Sequence, residues 1–204
     1  MELRRVRTTG LLVALLVGAF VVGREARAGF SRLRPAPTVP IEARPVAGRQ
    51  LLYVYIGSSR CGPSNQPELI AAVGKSIGDV RSRATSASRG FVTLGIGREL
   101  SASAALGHLA KVSTFDEIAA GQGDFNQAGI RFISHDHPGI GATPQVLVVE
   151  RVLSALGTTV DNVDFSERVL VRKVGAADII RWVQRGSPIT SEVWASNHLL
   201  GALP

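Results

Sequence analysis

The residues around Cys61 constrain the fold of this chain more than any other segment does. An apolar run, Leu51-Leu52-Tyr53-Val54-Tyr55-Ile56, comes shortly before Ser59-Arg60-Cys61-Gly62-Pro63-Ser64, and a helix-compatible stretch follows. Six consecutive apolar residues bounded by turn-forming residues predict a strand that is buried on both faces. Cys61 is therefore expected at a strand-to-helix junction, where backbone N–H groups and a helix dipole can stabilise a thiolate.

Cys61 is also the only cysteine among the 204 residues. A single cysteine excludes an internal disulfide and a cysteine-rich zinc site. The third residue after it, where a dithiol enzyme carries its second sulfur, is Ser64. A hydrogen bond from the Ser64 hydroxyl and the positive charge of Arg60 would both favour the thiolate form of Cys61. The chain thus presents one half of a redox pair.

The N-terminal residues have the pattern of an export signal. Three arginines precede an uncharged apolar run over 10–23, and Ala26-Arg27-Ala28 follows it. A basic start, a short apolar stretch and small residues at positions minus three and minus one are typical of secretory signals. Because Arg24, Glu25 and Arg27 are awkward near a cleavage site, residues 1–28 are predicted to be a signal peptide or an uncut membrane anchor. The body would then lie on the periplasmic or another extracytoplasmic side.

The net charge of +7 comes mostly from this leader. Residues 1–34 hold seven arginines and two glutamates, so the remaining 170 residues carry a formal charge of only +2. A nearly neutral body gives no indication of a nucleic-acid surface. Residues 29–48, rich in Pro, Arg and Ala, are predicted to be an extended linker.

The rest of the chain alternates strand-like and helix-like segments. The patterns predict strands over 49–56, 91–96, 130–134, 145–153 and 169–174. They predict helices from Pro63 or Ser64 to about Ala84, over 101–120 and over 176–184. This order predicts an α/β domain over 49–186, with a mixed central sheet and helices on both faces. Residues 187–204 are predicted to be a C-terminal tail.

Three motifs in this order resemble the thioredoxin-like superfamily. Cys61-Gly62-Pro63-Ser64 resembles the Cys-Gly-Pro-Cys active site, and Thr143-Pro144 resembles the cis-proline loop that faces it. Lys173-Val174-Gly175-Ala176 joins the last predicted strand to the last helix, as a similar tetrapeptide does in thioredoxins. The resemblance covers about residues 49–186. It implies a thioredoxin-like fold and a client groove lined by Arg60, Gly62, Pro63, Thr143 and Pro144.

The sequence also departs from the thioredoxin pattern. Ser64 replaces the resolving cysteine, Arg60 stands where an aromatic residue is usual, and Tyr55 stands where many members carry a buried acid. The stretch between Phe91 and Ile130 is longer than in a minimal thioredoxin and predicts an inserted helical segment. These changes argue against a general disulfide reductase.

The function that the resemblance implies is thiol–disulfide exchange through a single nucleophile. Cys61 would form mixed disulfides with the thiols or disulfides of exported client proteins, and Ser64 would assist it. Whether such a chain is a monothiol oxidoreductase or isomerase, or a redox-inactive binding and assembly module at the membrane, stays open. A monothiol glutaredoxin-like iron–sulfur carrier, which uses a similar Cys-Gly-Phe-Ser tetrapeptide, is a third alternative that export disfavours.

No cofactor and no metal ion are predicted. Gly95-Ile96-Gly97 lacks the third glycine and the helix of a phosphate loop. His135 and His137, together with a thiolate, would suit copper or zinc, but a polar turn made by Asp136 and Pro138 is the preferred interpretation. Two further predictions concern single polar positions: His108 on the surface, and Glu167 in a solvated turn.

Overall fold

The structure is a computed structural model that describes residues 48–155 and 163–190. The predicted signal or anchor over 1–28, most of the linker and the tail beyond residue 190 lie outside these residues. No helix within the described residues is both long and apolar enough to span a bilayer.

The described strands form one mixed sheet. They are β1 (Gly48–Gly57), β2 (Gly90–Gly97), β3 (Glu117–Ala119), β4 (Gln145–Ala155) and β5 (Val163–Val174), arranged in the order β3-β2-β1-β4-β5. β1 runs parallel to β2, which runs parallel to β3, while β4 is antiparallel to both β1 and β5. The predicted α/β class with a mixed central sheet is therefore confirmed.

Within the residues that the structure describes, four α-helices cover the two faces of this sheet. They are α1 (Pro67–Ser86), α2 (Ala102–Val112), α3 (Gln127–Ile133) and α4 (Ala176–Gln184), with short 3₁₀ turns at Gly62–Asn65 and Gly123–Phe125. Buried residues of α1, α2 and α4 pack in one apolar cluster, and Phe132 of α3 packs in the cluster on the opposite face. The last helix begins and ends where the sequence predicts.

β1 is buried on both faces, as its uninterrupted apolar run predicts. Because side chains alternate along a strand, Leu51, Tyr53 and Tyr55 join the cluster under α1, while Leu52, Val54 and Ile56 join the cluster under α3. All six side chains are fully buried, and each such burial contributes about 1.5–3 kcal/mol of hydrophobic stabilisation. This central strand fixes the position of the loop that carries Cys61.

The predicted strand over 130–134 is wrong, because residues 130–133 belong to α3 and Ser134 is its C-cap. The Asn126 side chain accepts hydrogen bonds from the backbone N–H groups of Ala128 and Gly129, and this N-cap starts a helix. The third strand lies instead at Glu117–Ala119, inside the region predicted to be helical. The helix predicted over 101–120 ends at Val112.

The long helix also begins later than predicted. A 3₁₀ turn occupies Gly62–Asn65, and α1 starts only at Pro67. Proline restricts the residue before it to extended conformations, and Gln66 is extended with φ −67° and ψ 128°. Cys61 therefore precedes a four-residue 3₁₀ turn and not α1 itself. Hydrogen bonds and nearby charges, more than the dipole of α1, must account for the properties of its thiol.

Candidate functional site

The loop that carries Cys61 is held by its own polar groups. The Cys61 N–H donates to the Ser58 carbonyl at 3.1 Å, and the Ser64 N–H donates to the Cys61 carbonyl at 2.9 Å. The Asn65 side-chain amide donates to the carbonyls of Cys61 at 2.8 Å and Ser59 at 3.0 Å. Asn65 was not predicted as a site residue. It fixes the loop so that the Cys61 side chain stays partly exposed.

The Thr143-Pro144 loop faces Cys61 across the end of the sheet. The Cys61 thiol donates a hydrogen bond to the Thr143 carbonyl oxygen at an S–O distance of 3.2 Å. The Thr143–Pro144 peptide bond is cis, so the prediction of a cis bond here is confirmed. The buried Pro144 carbonyl accepts from the Gly175 N–H at 2.8 Å. Gly175 has φ +84°, a conformation that favours glycine at this junction of β5 and α4.

The buried side chain of Gln145 and the half-buried side chain of Arg172 anchor the segment before Thr143. The Gln145 side-chain amide donates to the carbonyls of Ile140 and Ala142, both at 2.6 Å. The Arg172 guanidinium donates to the Gln145 side-chain oxygen at 3.1 Å and to the His137 carbonyl at 2.6 Å. Because five backbone and side-chain groups share this network, the loop presents Thr143 to Cys61 in one defined position.

Arg98 brings a positive charge to the thiol. It follows β2 directly, and the carboxyl ends of the parallel strands β1 and β2 meet at the same edge of the sheet. Its Nε donates to the Asp124 carboxylate at 2.7 Å, and its guanidinium also contacts the Gly141 carbonyl. A cleft of about 240 Å³ joins these groups, lined by Ser58, Arg60, Cys61, Arg98, Asp124 and Thr143. Arg98 was not predicted as a site residue, because its place beside Cys61 follows from the parallel pairing of β1 and β2.

The balance of influences on Cys61 favours its thiolate. Burial raises the pKa of the thiol, but Ser64 and Thr143, as hydrogen-bonding groups that favour the thiolate, and the charge of Arg98 lower it, and the net pKa lies below the ordinary value. The Ser64 hydroxyl is buried and has no hydrogen-bond partner of standard geometry among the described residues. It is therefore free to donate to the sulfur once the thiol loses its proton.

A buried polar cluster lies beneath the thiol. The Tyr55 hydroxyl is 3.4 Å from His108 Nε2, and the buried Glu99 carboxylate accepts from the Ser59 N–H. His108 is 2% exposed, so the prediction that it lies on the surface is wrong. It occupies the inner face of α2 together with Ala105, Leu109 and Val112, which are buried in the same helix. Tyr55 occupies the predicted position of a buried acid, and Glu99 and His108 supply ionisable groups beside it.

The other two histidines among the described residues have partners outside this cleft. His135 contacts the Asp136 carboxylate at 2.6 Å, and His137 Nε2 contacts the Glu167 carboxylate at 2.9 Å. Glu167 lies in β5 with a side chain only 4% exposed and also pairs with Arg131, so its prediction as a solvated turn residue is wrong. In the described ranges no group of three or more His, Cys, Asp or Glu side chains could hold a metal ion. The structure thus gives no support to a copper or zinc site.

The predicted site residues divide into three groups by position. Cys61, Arg60 and Thr143 line one cleft, and Ser64 is buried behind Cys61. Gly62 and Pro63 are exposed on the outer side of the 3₁₀ turn. Arg60 is exposed, and its guanidinium has no partner in the part of the chain that the structure describes. A positive charge therefore stands uncompensated at the rim.

Three exposed apolar residues are near neighbours in sequence of residues that bond beside this cleft. Leu100, Phe125 and Ile140 are 74%, 76% and 65% exposed, the highest values among the large apolar residues that the structure describes. Leu100, Phe125 and Ile140 lie one or two residues in sequence from Arg98, Asp124 and Gly141, respectively. Arg98 bonds to both Asp124 and the Gly141 carbonyl beside the cleft. Single exposed apolar residues are ordinary, but three that adjoin the hydrogen-bonded groups around Arg98 are candidates for a contact surface.

Comparisons with known proteins add nothing to this geometry. No family model, no curated protein and no solved structure matches the chain. A function must therefore be inferred from the residues of the cleft and the groups beneath it.

Proposed function

We propose that this chain is an exported or membrane-anchored thioredoxin-like protein that performs thiol–disulfide exchange through Cys61. The observation that carries the proposal is an accessible sulfur whose pKa is lowered, held 3.2 Å from the Thr143 carbonyl of an opposing loop. A thiolate is the nucleophile in disulfide exchange, so a lowered pKa increases the reactive fraction at neutral pH.

The juxtaposition of the three motifs supports the thioredoxin-like assignment. Cys61 and Thr143 are 82 residues apart in sequence, yet a hydrogen bond joins them. The third motif reaches the same place, because the Gly175 N–H bonds the Pro144 carbonyl. The sheet order β3-β2-β1-β4-β5 places β1, which leads to Cys61, at its centre.

The proposed reaction stops after one exchange unless a second thiol is supplied. The Cys61 thiolate attacks one sulfur of a client disulfide, a new S–S bond forms, and the other client sulfur leaves as a thiolate. Ser64 has no sulfur, so it cannot release the client. An external thiolate must attack the mixed disulfide, which regenerates the Cys61 thiolate and transfers the S–S bond to the new pair. This chemistry suits disulfide isomerisation or client retention.

The proposed client is an extended polypeptide segment that contains a cysteine. The Thr143 backbone beside the sulfur is placed to pair with an extended segment as an added strand. Apolar client residues next to the cysteine would contact Leu100, Phe125 and Ile140, which are exposed. The uncompensated charge of Arg60 would favour an acidic residue at the rim.

Alkylation of the folded protein tests the proposal. Iodoacetamide at pH 7 should modify Cys61 in the folded state, and an aromatic disulfide should form a mixed disulfide that added glutathione releases. Cys61→Ser is the control that accounts for non-specific labelling. Modification that occurs only after denaturation would exclude thiol–disulfide exchange by this site.

A redox-inactive binding module is the second candidate, and the exposed residues Leu100 and Phe125 favour it. Both lie in the 97–129 segment, which the sequence identifies as an insertion. In that case partners would co-purify equally with the native chain and with Cys61→Ala, while Phe125→Ser would lose them. Loss of the partners on Cys61→Ala would argue instead for covalent exchange.

A further inference from the structure

One end of the domain collects arginines from both the sheet and the helices. This arginine-rich end is where β1 and β2 begin and where α1 and α4 end. Gln50 of β1 pairs with Gly90, the first residue of β2, and only three residues separate β2 from the end of α1. Arg83 near the end of α1 donates to the carbonyls of Gly186 and Ser187, which follow α4. These contacts hold the four element ends together.

In the sheet, the arginines at this end surround a buried carboxylate. Arg49 and Arg89 both contact one oxygen of Glu150, and Arg168 binds the other oxygen at 3.0 Å. The Glu150 side chain is 6% exposed, whereas that of Arg168 is 59% exposed. The negative charge is therefore hidden inside the domain, and a positive charge faces the solvent.

The ends of α1 and α4 add four more arginines. Arg81 and Arg83 lie in the last six residues of α1, Arg181 lies near the end of α4, and Arg185 is the C-cap of α4. Arg81, Arg181 and Arg185 are exposed. Basic residues near a helix C-terminus interact favourably with the helix dipole. That interaction accounts for the helix arginines one by one, but not for the sheet arginines that share their end of the domain.

The positive charge of the described domain is concentrated at this end. Arg151 with its buried partner Glu167, and Asp164 of β5, complete the charged residues there. The arginine-rich end thus has eight arginines and three carboxylates, while the other described residues include seven basic and eight acidic side chains. The end that carries Cys61 therefore has no comparable excess of positive charge.

We propose that the arginine-rich end docks the domain on an anionic lipid surface, with the Cys61 cleft pointing away from the membrane. This inference rests on the membrane-anchored form of the proposed function. The described chain begins with Gly48 at this same end, and the residues before it lead back to the predicted anchor over 1–28. Arginines close to an anionic bilayer are attracted to its surface potential. The anchor and the arginines would thus hold the same end of the domain at the membrane.

The docked orientation restricts the class of client. β1 runs from the arginine-rich end to the loop of Cys61, and its ten residues at about 3.3 Å each span about 33 Å. The cleft would therefore lie about 30 Å from the lipid surface. An extended client segment would reach it from the aqueous side. The clients would be soluble exported proteins and not segments embedded in the bilayer.

Quenching by a lipid-bound probe tests the inference on the full chain in vesicles. Cys61, the only cysteine, takes a fluorescent maleimide at one end, and Ser86→Cys in a Cys61→Ser background takes it at the arginine-rich end. The vesicles are phosphatidylcholine with about one third phosphatidylglycerol and contain a lipid with a nitroxide on its headgroup, which quenches only nearby fluorophores. At about 50 mM salt the label at position 86 should be quenched strongly and the label at Cys61 weakly. At about 500 mM salt this difference should disappear, because ions screen the attraction.

Neutralised arginines separate the effect of charge from that of the anchor. Arg168→Gln with Arg185→Gln should shift the docking equilibrium by more than about tenfold toward the undocked form, since each basic side chain near an anionic surface contributes about fivefold. Arg60→Gln with Lys173→Gln removes the same charge at the Cys61 end and should leave the quenching at position 86 unchanged. Equal thermal unfolding midpoints of both double variants would show that the fold is intact. An equal loss of quenching in both would overturn the inference.

Two further outcomes would also overturn it. One is equal quenching at positions 61 and 86 in anionic vesicles at low salt. The other is a preference for position 86 that persists in phosphatidylcholine alone, because the linker and not the arginines would then orient the domain. Both outcomes leave the alkylation test of Cys61 unaffected. Conversely, a docked chain whose Cys61 does not react at pH 7 would keep this orientation and exclude thiol–disulfide exchange.

Discussion

The Cys61 sulfur and the Thr143 carbonyl oxygen are 3.2 Å apart, although 82 residues separate them in sequence. The antiparallel pairing of β1 and β4 accounts for this proximity. Ile56 near the end of β1 pairs with Gln145 at the start of β4, so the loop after one strand meets the loop before the other. A client that approaches Cys61 therefore also approaches the backbone of Thr143.

The Thr143 hydroxyl should contribute to the reactivity of Cys61. A hydrogen bond from the Thr143 side chain lowers the pKa of the thiol, so Thr143→Val should raise that pKa and reduce the thiolate fraction at neutral pH. We expect alkylation at pH 7 to slow by about threefold to tenfold, measured from the rate against pH. Thr143→Ser, which keeps the hydroxyl, is the matched control. Equal slowing in both variants would indicate a change in the loop and not the loss of this hydrogen bond.

The sequence predicted the elements that depend on strong local patterns. The apolar run of β1 and the Gly175 junction before α4 both lie where the patterns placed them. The Cys61 and Thr143 loops were brought together by resemblance, since no local pattern encodes a contact over 82 residues. Arg98 and Glu99 were missed because their importance comes from the parallel pairing of β1 and β2, which sequence periodicity does not show.

Two errors have clear physical reasons. Ile130-Arg131-Phe132-Ile133 is a short apolar run that fits a strand or a buried helical turn equally well, and the Asn126 cap decides for the helix. His108 was predicted to lie on the surface because it falls in the inserted helical segment. Its spacing from Ala105 and Val112 puts it on the inner face of α2, and this spacing was visible in the sequence.

Glu150, in the middle of β4, should be a major contributor to stability. Its side chain is 6% exposed and pairs with Arg89, 1% exposed, at 2.7 Å, while Arg168 binds its other oxygen at 3.0 Å. Glu150→Gln leaves the charge of Arg89 without its carboxylate. We expect the free energy of unfolding to fall by about 3–5 kcal/mol, measured by urea denaturation at pH 7. Arg168→Gln, at an arginine 59% exposed, should cost less than about 1 kcal/mol.

The contribution of Glu150 should also depend on pH in one direction. Burial raises the pKa of this carboxyl, but its arginine partners outweigh burial and hold the pKa below the ordinary 4.5. A carboxyl with a lowered folded-state pKa stabilises the fold above its unfolded pKa and loses that effect as the pH falls through the folded value. The native chain and Glu150→Gln should therefore differ in stability at pH 7 and converge below pH 4.5. If the difference in unfolding free energy between the two proteins stayed constant down to strong acid, it would not come from the ionised Glu150 carboxylate.

Phe125 should contribute to client contact without contributing to stability. It is 76% exposed and lies next to Asp124, which binds Arg98 at the cleft. Phe125→Ser should change the unfolding free energy by less than about 0.5 kcal/mol, as surface substitutions do. It should slow mixed-disulfide formation with an apolar cysteine-containing peptide disulfide but leave the rate with a small aromatic disulfide unchanged. Slowing with both reagents would show an effect on the thiol and would remove Phe125 from the contact surface.

Ser64→Cys should convert the single-nucleophile site into a dithiol site. The Ser64 N–H bonds the Cys61 carbonyl at 2.9 Å, so one 3₁₀ turn brings the two side chains to the same side of the loop, and position 64 is buried. Oxidation by glutathione disulfide should then remove both free thiols through an internal disulfide, with two glutathione molecules released per chain. Reduced Ser64→Cys should also reduce a peptide disulfide repeatedly with a dithiol reductant, because the second thiol releases the client. Ser64→Ala is the control: it should form no internal disulfide and should not reduce the peptide disulfide faster than the native chain does. If both thiols stay free in folded Ser64→Cys under these conditions, the turn holds residues 61 and 64 too far apart. The resemblance to a Cys-Gly-Pro-Cys site would then be limited to sequence and would not include geometry.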